Sequence, residues 1–279
     1  SVTLLRGLFS SARLGSRVIT NTPPGRALVT GASSGIGAAT VRALRAASWD
    51  VIAVARRRDR LDSLAAETGC DIFVADVTSS GDVTALVNRV EEAGGIDALV
   101  NVAGGAVGAD VVAEADPDDW AVMMELNVVS VQRMIRAFLP VLRRKSVSRG
   151  VADIVTISST AAFISYEGGG GYNAAKAGLH AALMALRLEL VGEPIRVVEI
   201  APGMVKTEEF ALNRFGGDEA KTQALYEGVE SPLLAEDVAD VVRYALESPA
   251  HVNLDLIQMK PVAQAMQYKL HRGPLHPKL

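Results

Sequence analysis

Thr30-Gly31-Ala32-Ser33-Ser34-Gly35-Ile36-Gly37 lies between the apolar run Ala27-Leu28-Val29 and a helical pattern over residues 36–47. Glycines let a backbone turn tightly and pass close to a ligand. A helix N-terminus favours the negative charge of a pyrophosphate. The run therefore predicts a nucleotide-binding turn made by Gly31, Ser33, Ser34, Gly35, Ile36 and Gly37. Its spacing is G-x-x-x-G-x-G, not the commoner G-x-G-x-x-G. Alone it would fit a plain tight turn equally well; its place between a first strand and a first helix gives it weight.

Outward from that turn, short apolar runs alternate with longer helical patterns. Strands are expected at 27–29, 51–54, 72–74, 98–100, 154–157, 197–200 and 253–257. Helices are expected at 36–47, through Leu61 and Leu64, at 83–92, as one long element at 120–142, from Tyr172 to 190, and at 235–246. Strands that are apolar throughout belong in a parallel sheet covered on both faces. Their alternation with helices makes right-handed βαβ units. The expected fold is a single α/β domain, a Rossmann-like, doubly wound, mostly parallel sheet of seven strands with helices on both faces. Such a sheet binds ligands beyond the carboxyl ends of its strands. The domain is placed at residues 26–261, with a substrate lid at about 204–228. A basic N-terminal extension covers 1–25 and a basic tail covers 262–279.

Composition narrows the function. Of 279 residues, 49% are hydrophobic, enough for a sizeable core, yet no apolar run is long enough to span a bilayer. A net charge of −4 gives no reason to expect nucleic acid as a partner. A single cysteine, Cys70, rules out an internal disulfide and fits a reduced, cytoplasmic setting. His251, His271 and His276 lack metal-ligand spacing, so no metal is expected. Arg6, Arg13 and Arg17, with several serines and no acid, give the first 25 residues the composition of a transit peptide. Mitochondrial targeting is thus the alternative to a mobile leader or a subunit-contact arm. The tail reads as a segment that docks on a neighbouring subunit.

Chemistry enters at Gly171-Tyr172-Asn173-Ala174-Ala175-Lys176. Residues four apart share a helix face. An ammonium beside a phenol favours the phenolate and is expected to lower the Tyr172 pKa from about 10 towards working pH. A phenol so poised is a general acid or base. At the end of the second strand, where a carboxylate would select NAD, the chain has Ala55 and then Arg56, Arg57 and Arg58. A guanidinium suits a 2′-phosphate, so Arg56 is read as its ligand and NADP(H) as the cofactor. Arg57 and Arg58 read as the solvated start of the next helix. Asp76 and Val77 are expected near the adenine, with an Asx turn as the plain reading of Asp76. Asn101 is expected at the ribose, and Gly104 permits a close backbone pass.

The chain resembles the short-chain dehydrogenase/reductase family over residues 26 to about 261. The residues that carry the likeness are Thr30-Gly31-x-x-x-Gly35-x-Gly37, Asn101-x-Ala103-Gly104, Asn127, Ser159, Tyr172-x-x-x-Lys176 and Pro202-Gly203. Val102, where many members have a second asparagine, departs from the pattern. The resemblance implies a catalytic tetrad of Asn127, Ser159, Tyr172 and Lys176. Ser159 would bind the substrate oxygen, Tyr172 would exchange its proton, Lys176 would also hold the nicotinamide ribose, and Asn127 would hold a water. Strand alternation turns the adjacent Ser158 away. Ala103, Gly104, Pro202, Gly203, Val205 and Thr207 join the cofactor set, Thr207 having a helix cap as its alternative.

Tyr166 is read as substrate wall, His180 as a surface or subunit-contact residue, and the Met123-Met124 pair as helix core. Arg214 and Lys206 are either solvated lid charges or partners for a substrate carboxylate. The stretch from Val54 to Leu64 and the segment His251-Val252-Asn253 are similar to NADP-dependent members acting on 3-hydroxy acids and small carbonyls. The implied partner is a small carbonyl or alcohol, and the implied assembly a homodimer or homotetramer. Three rival readings are a 3-oxoacyl thioester reductase of lipid synthesis, a non-catalytic NADP-sensing binding protein, and a dehydratase or epimerase, the last resembling a branch with another glycine spacing and a larger substrate domain.

Overall fold

The computed structural model describes residues 22–277. The expectations for the leader, which rest on Arg6, Arg13 and Arg17, lie outside the described residues. Thr22 is buried. Its amide donates to the Glu247 carbonyl at 3.1 Å and its hydroxyl to the Ser248 carbonyl at 2.6 Å, fastening residues 22–25 to the domain.

The first half runs β1 (Arg26–Thr30), α1 (Gly35–Ala46), β2 (Asp50–Ala55), α2 (Arg58–Thr68), β3 (Asp71–Val74), α3 (Ser80–Glu92) and β4 (Ala98–Asn101). Then come α4 (Pro117–Met124), a π-helical turn (Glu125–Val129), α5 (Ser130–Arg149), β5 (Ala152–Ile157) and α6 (Gly170–Glu189). The chain closes with β6 (Ile195–Pro202), β7 (Val205–Lys206), α7 (Phe210–Arg214), α8 (Glu219–Tyr226), β8 (Leu233–Leu234), α9 (Ala235–Glu247) and β9 (Leu256–Met259). Seven strands form one parallel sheet in the order β3-β2-β1-β4-β5-β6-β9, as the apolar runs imply. The small pair β7-β8 closes off residues 207–232, which include most of the segment expected to be a lid.

Alternate strand residues feed opposite faces. Ala27, Val29, Val51, Ala53 and Val198 pack with Val41 and Leu44 of α1, Leu61 of α2 and Val242 of α9. Leu28, Ile52, Leu99, Ile154 and Val197 pack with Leu86 of α3, Phe138 of α5 and Leu183 of α6. Strand order reverses between β1 and β4, and a crevice opens at that switch point. There Thr30 Oγ1 accepts from the amides of Val102 and Ala103 at 3.0 and 3.1 Å, tying the two strand ends together.

Two expected elements differ. The long helix at 120–142 is broken at Asn127, whose Nδ2 donates to the Met123 carbonyl at 2.8 Å as the backbone widens into a π turn. The last strand starts at Leu256, not at 253. Asn253 spends its side chain on β6, where Oδ1 accepts from the Val197 amide at 2.9 Å.

Candidate active site

A cleft of about 650 Å³ opens over the carboxyl ends of the strands, from the glycine turn to the lid. Ser33, Ser34, Gly35, Ile36 and Gly37 line it, as does Gly31. The turn is built for close backbone approach. Gly31 has φ +65°, and a Cβ there would lie 2.8 Å from the Ala103 amide nitrogen. A Cβ on Gly37 would lie 2.2 Å from the Gly31 carbonyl oxygen, so only hydrogen lets α1 start so near the turn.

Most expected cofactor positions face this cleft: Arg56, Asp76 and Val77 at one end, Ala103 and Gly104 in the middle. Pro202, Gly203, Val205 and Thr207 line the lid side. Asp76 also makes the Asx turn, Oδ1 accepting from the Thr78 amide at 2.9 Å. Thr207 Oγ1 also accepts from the Phe210 amide at 3.4 Å, although Glu209, not Thr207, stands at the N-cap of α7. Asn101 is different. It is buried beneath the cleft, where Nδ2 donates to Thr156 Oγ1 at 3.4 Å, and it does not line the opening. Its strand position turns the side chain into the sheet layers instead.

Tyr172 and Lys176 rise from α6, and Ser159 sits just past β5; all three are buried and line the cleft. Ser159 Oγ accepts from the Ala161 amide at 3.1 Å and faces the same cleft as the Tyr172 phenol. Asn173 holds the two segments in register, its Nδ2 donating to the carbonyls of Ala161 (2.7 Å) and Ile164 (3.1 Å). Lys176 Nζ donates to the Ile157 carbonyl at 3.1 Å and stands 5.8 Å from the Tyr172 ring centroid. Ser158, expected to turn away, lines the cleft as well, with a buried hydroxyl that has no partner among the described residues.

Asn127 is wholly buried and committed to the loop after β4. Its Nδ2 donates to the Gly105 carbonyl at 2.8 Å and its Oδ1 accepts from the Gly105 amide at 3.2 Å. Both amide hydrogens go to backbone carbonyls, so the expected water would have no side-chain donor here. Asn127 Oδ1 and Lys176 Nζ both border Gly104, where a Cβ would lie 2.9 and 3.5 Å from them.

The expected direction of the tyrosine shift is reversed. Burial pushes the Tyr172 phenol above its ordinary value, and the Ser159 hydroxyl only partly opposes it. Burial lowers Lys176 from 10.5 to about 8, with the buried carboxylate of Glu199 pulling the other way. Desolvation dominates the shift, and Lys176, on which the expectation was built, is not among its causes. At neutral pH the phenol is therefore protonated, a state suited to giving a proton to an oxygen in the cleft.

Several residues at the cleft were not read from sequence as its parts. Arg57, expected to be solvated, turns inward to Ser33 Oγ (2.9 Å), Ser34 Oγ (3.1 Å) and the Glu209 carboxylate. A basic residue directly before a helix and beside the glycine turn was the available signal. Arg58 remains exposed. Gln264 and Gln267 come from the tail, which reaches the cleft. Gln264 Oε1 accepts from the Met204 amide at 2.8 Å and Gln267 Nε2 donates to Thr160 Oγ1 at 2.7 Å. Tyr166 lines the cleft and accepts from Arg214 Nη1 at 3.0 Å, while Lys206 is exposed and absent from the lining. His180 is no plain surface residue: its Nδ1 lies 2.7 Å from Oε2 of Glu199, a carboxylate with no exposed surface.

A family model described as short chain dehydrogenase matches residues 26–214. An uncharacterized oxidoreductase of Mycobacterium tuberculosis is 48% identical over 239 residues, 86% of this chain and 92% of that one. An NADP-dependent 3-hydroxy acid dehydrogenase of Escherichia coli is 36% identical over 85% of this chain and 95% of its own. The solved closed form of a serine dehydrogenase complexed with NADP+ has a TM-score of 0.81 and 35% identity, covering 91% of this chain and 100% of that one. No helix of the described residues is long and apolar enough to cross a membrane.

Proposed function

The chain belongs to the short chain dehydrogenase family, and on that premise we propose that it is an NADP(H)-dependent oxidoreductase interconverting a carbonyl and a secondary alcohol. The observation that carries this reading is the convergence of Ser159, Tyr172 and Lys176 on the cleft that the glycine turn shares. The turn's missing Cβ atoms leave room for a pyrophosphate against the start of α1. Arg56 and Arg57 offer guanidinium groups at the far end for a 2′-phosphate. The cofactor, when bound, supplies or accepts the hydride.

The remaining roles fall to the chain. Ser159 donates a hydrogen bond to the substrate oxygen. Tyr172 gives that oxygen its proton on reduction and takes it back on oxidation. Lys176, charged below about pH 8, steadies the phenolate that proton loss leaves behind. Asn127 positions the Gly104–Gly105 backbone beside Lys176.

Arg214 favours a small 3-hydroxy acid as substrate. Its guanidinium lines the lid side of the cleft, held by Tyr166 and by the Gly108 and Gly168 carbonyls at 3.3 and 3.0 Å, with donor capacity left for a carboxylate. Exposed Val147, Met184, Leu188 and Val191, on or just beyond α5 and α6, support a homodimer or homotetramer through that face.

The test is NADPH and, separately, NADH oxidation with 3-oxo acids, neutral ketones, aldehydes and 3-oxoacyl thioesters. Turnover of 3-oxo acids with NADPH supports the reading. Preference for thioesters would move the protein to lipid synthesis, and binding without turnover on any class would favour a sensor.

A further inference from the structure

Between the glycine turn and the lid, a carboxylate fills a place whose donors suit the cofactor. Glu209 immediately precedes α7. Arg57 Nη1 donates to its Oε1 at 2.7 Å and Arg57 Nη2 to its Oε2 at 2.8 Å, a two-point grip. Ser34 Oγ donates to the same Oε2 at 2.8 Å. Arg57 also reaches Ser33 Oγ through Nε and Nη2 at 3.2 and 2.9 Å. The Arg57 bond holds the Glu209 carboxyl below its ordinary range, so it is charged at neutral pH. The Glu209 side chain is only 19% exposed, whereas that of Arg56 is 76% exposed and lies 3.9 Å from Asp76.

A guanidinium fork with two seryl hydroxyls beside the turn is a donor set that grips a phosphate monoester. In this structure the lid's own carboxylate takes those donors. We propose that Glu209 is an internal competitor for the cofactor's 2′-phosphate, and so a residue that sets NADP(H) affinity and discrimination against NAD(H). This rests on the NADP(H) reading above. A phosphate monoester brings a charge of about −1.5 to −2 at pH 7. It cannot share the Arg57 fork with a carboxylate, because like charges at such a distance repel and the two donor positions are already used. The phosphate therefore enters by displacing Glu209. The strength of the Arg57–Glu209 pair is subtracted from NADPH binding. NADH, with a neutral hydroxyl at that position, does not compete for the fork and escapes the penalty.

Direct titration of NADPH and NADH into the full chain tests this, with Glu209→Gln as the main variant. The expected result is NADPH binding tightened by about ten-fold, the scale of a partly shielded charge pair, with NADH moved less than about two-fold. In an Arg57→Ala background the same substitution should change NADPH binding less than about two-fold, because the contested fork is gone. Glu208→Gln, at an adjacent carboxylate with only a 3.5 Å pair to Arg60, should change neither nucleotide. Weaker NADPH binding in Glu209→Gln would mean that Glu209 clasps the bound cofactor and would overturn the proposal. An unchanged ratio of NADPH to NADH affinity, with both binding the wild type, overturns this inference alone. Binding of neither nucleotide by the wild type overturns the cofactor reading and this inference with it.

Discussion

The floor and the roof of the cleft are built by different physics. On the floor, Ser159, Tyr172 and Lys176 are buried and rise from β5 and α6, elements fixed by a continuous apolar core and a parallel hydrogen-bond ladder. The roof consists of α7, α8 and the tail. Helix α8 has no buried residue, and the roof is fastened largely by polar contacts: Glu209 to Arg57 and Ser34, Arg214 to Tyr166, Gly108 and Gly168, Tyr226 to Val205, and Gln264 to Met204. Each neutral contact contributes only about 1 kcal/mol net, and those to charged groups about 1.5–3 kcal/mol. A rigid floor keeps a proton donor in place, while a weakly fastened roof can open for substrate and then meet it. In the proposed reaction the floor determines the chemistry and the roof determines which molecule undergoes it.

The sharpest way to probe the floor is its buried charge. Lys176 titrates at about 8 in the folded chain against the ordinary 10.5. The unfolded chain therefore holds more protons between those values, and stability must rise with pH across that window. The difference corresponds to about 3 kcal/mol. Lys176→Met should be the more stable form at pH 7, with the gap closing as pH approaches 10. Urea unfolding of both proteins at the two pH values reads this directly, and a gap independent of pH would mean the ammonium is well solvated.

A roof substitution should act on recognition instead. Arg214→Ala removes a guanidinium held by three partners. For an acid substrate KM should rise by roughly ten-fold or more, since a hydrogen bond to a charged group contributes about 1.5–3 kcal/mol, while kcat moves much less. A loss in kcat with KM unchanged would place Arg214 in the chemistry and erase the division between floor and roof. Smaller again is Gln264→Ala, which strips the Met204 amide of its acceptor and should cost about 1 kcal/mol of stability in thermal unfolding.

That division also explains what the sequence could reveal. Local rules place the floor. An apolar strand before a glycine turn, and a tyrosine four residues ahead of a lysine, need no knowledge of distant residues. Seven parallel strands follow from the same patterns. The roof depends on pairs far apart in the chain: Arg57 with Glu209, Arg214 with Tyr166, Met204 with Gln264. None has a spacing that marks it, so Arg57 read as solvated and no residue of the tail was read as part of the cleft. Asn101 lies beneath the cleft and not on its lining, a choice of side-chain direction at a strand end that local rules do not reveal. The Tyr172 shift was read with the opposite sign because spacing reveals the neighbouring lysine but not the burial that dominates the shift.

The most direct test of the central claim is to measure NADPH binding and single-turnover reduction of a 3-oxo acid in the same preparations of wild type and Tyr172→Phe. The account predicts equal NADPH affinity in the two proteins and a rate at least about 10²-fold lower in the variant, the contribution of a placed proton donor. A variant that binds NADPH and reduces the acid at the wild-type rate would contradict it.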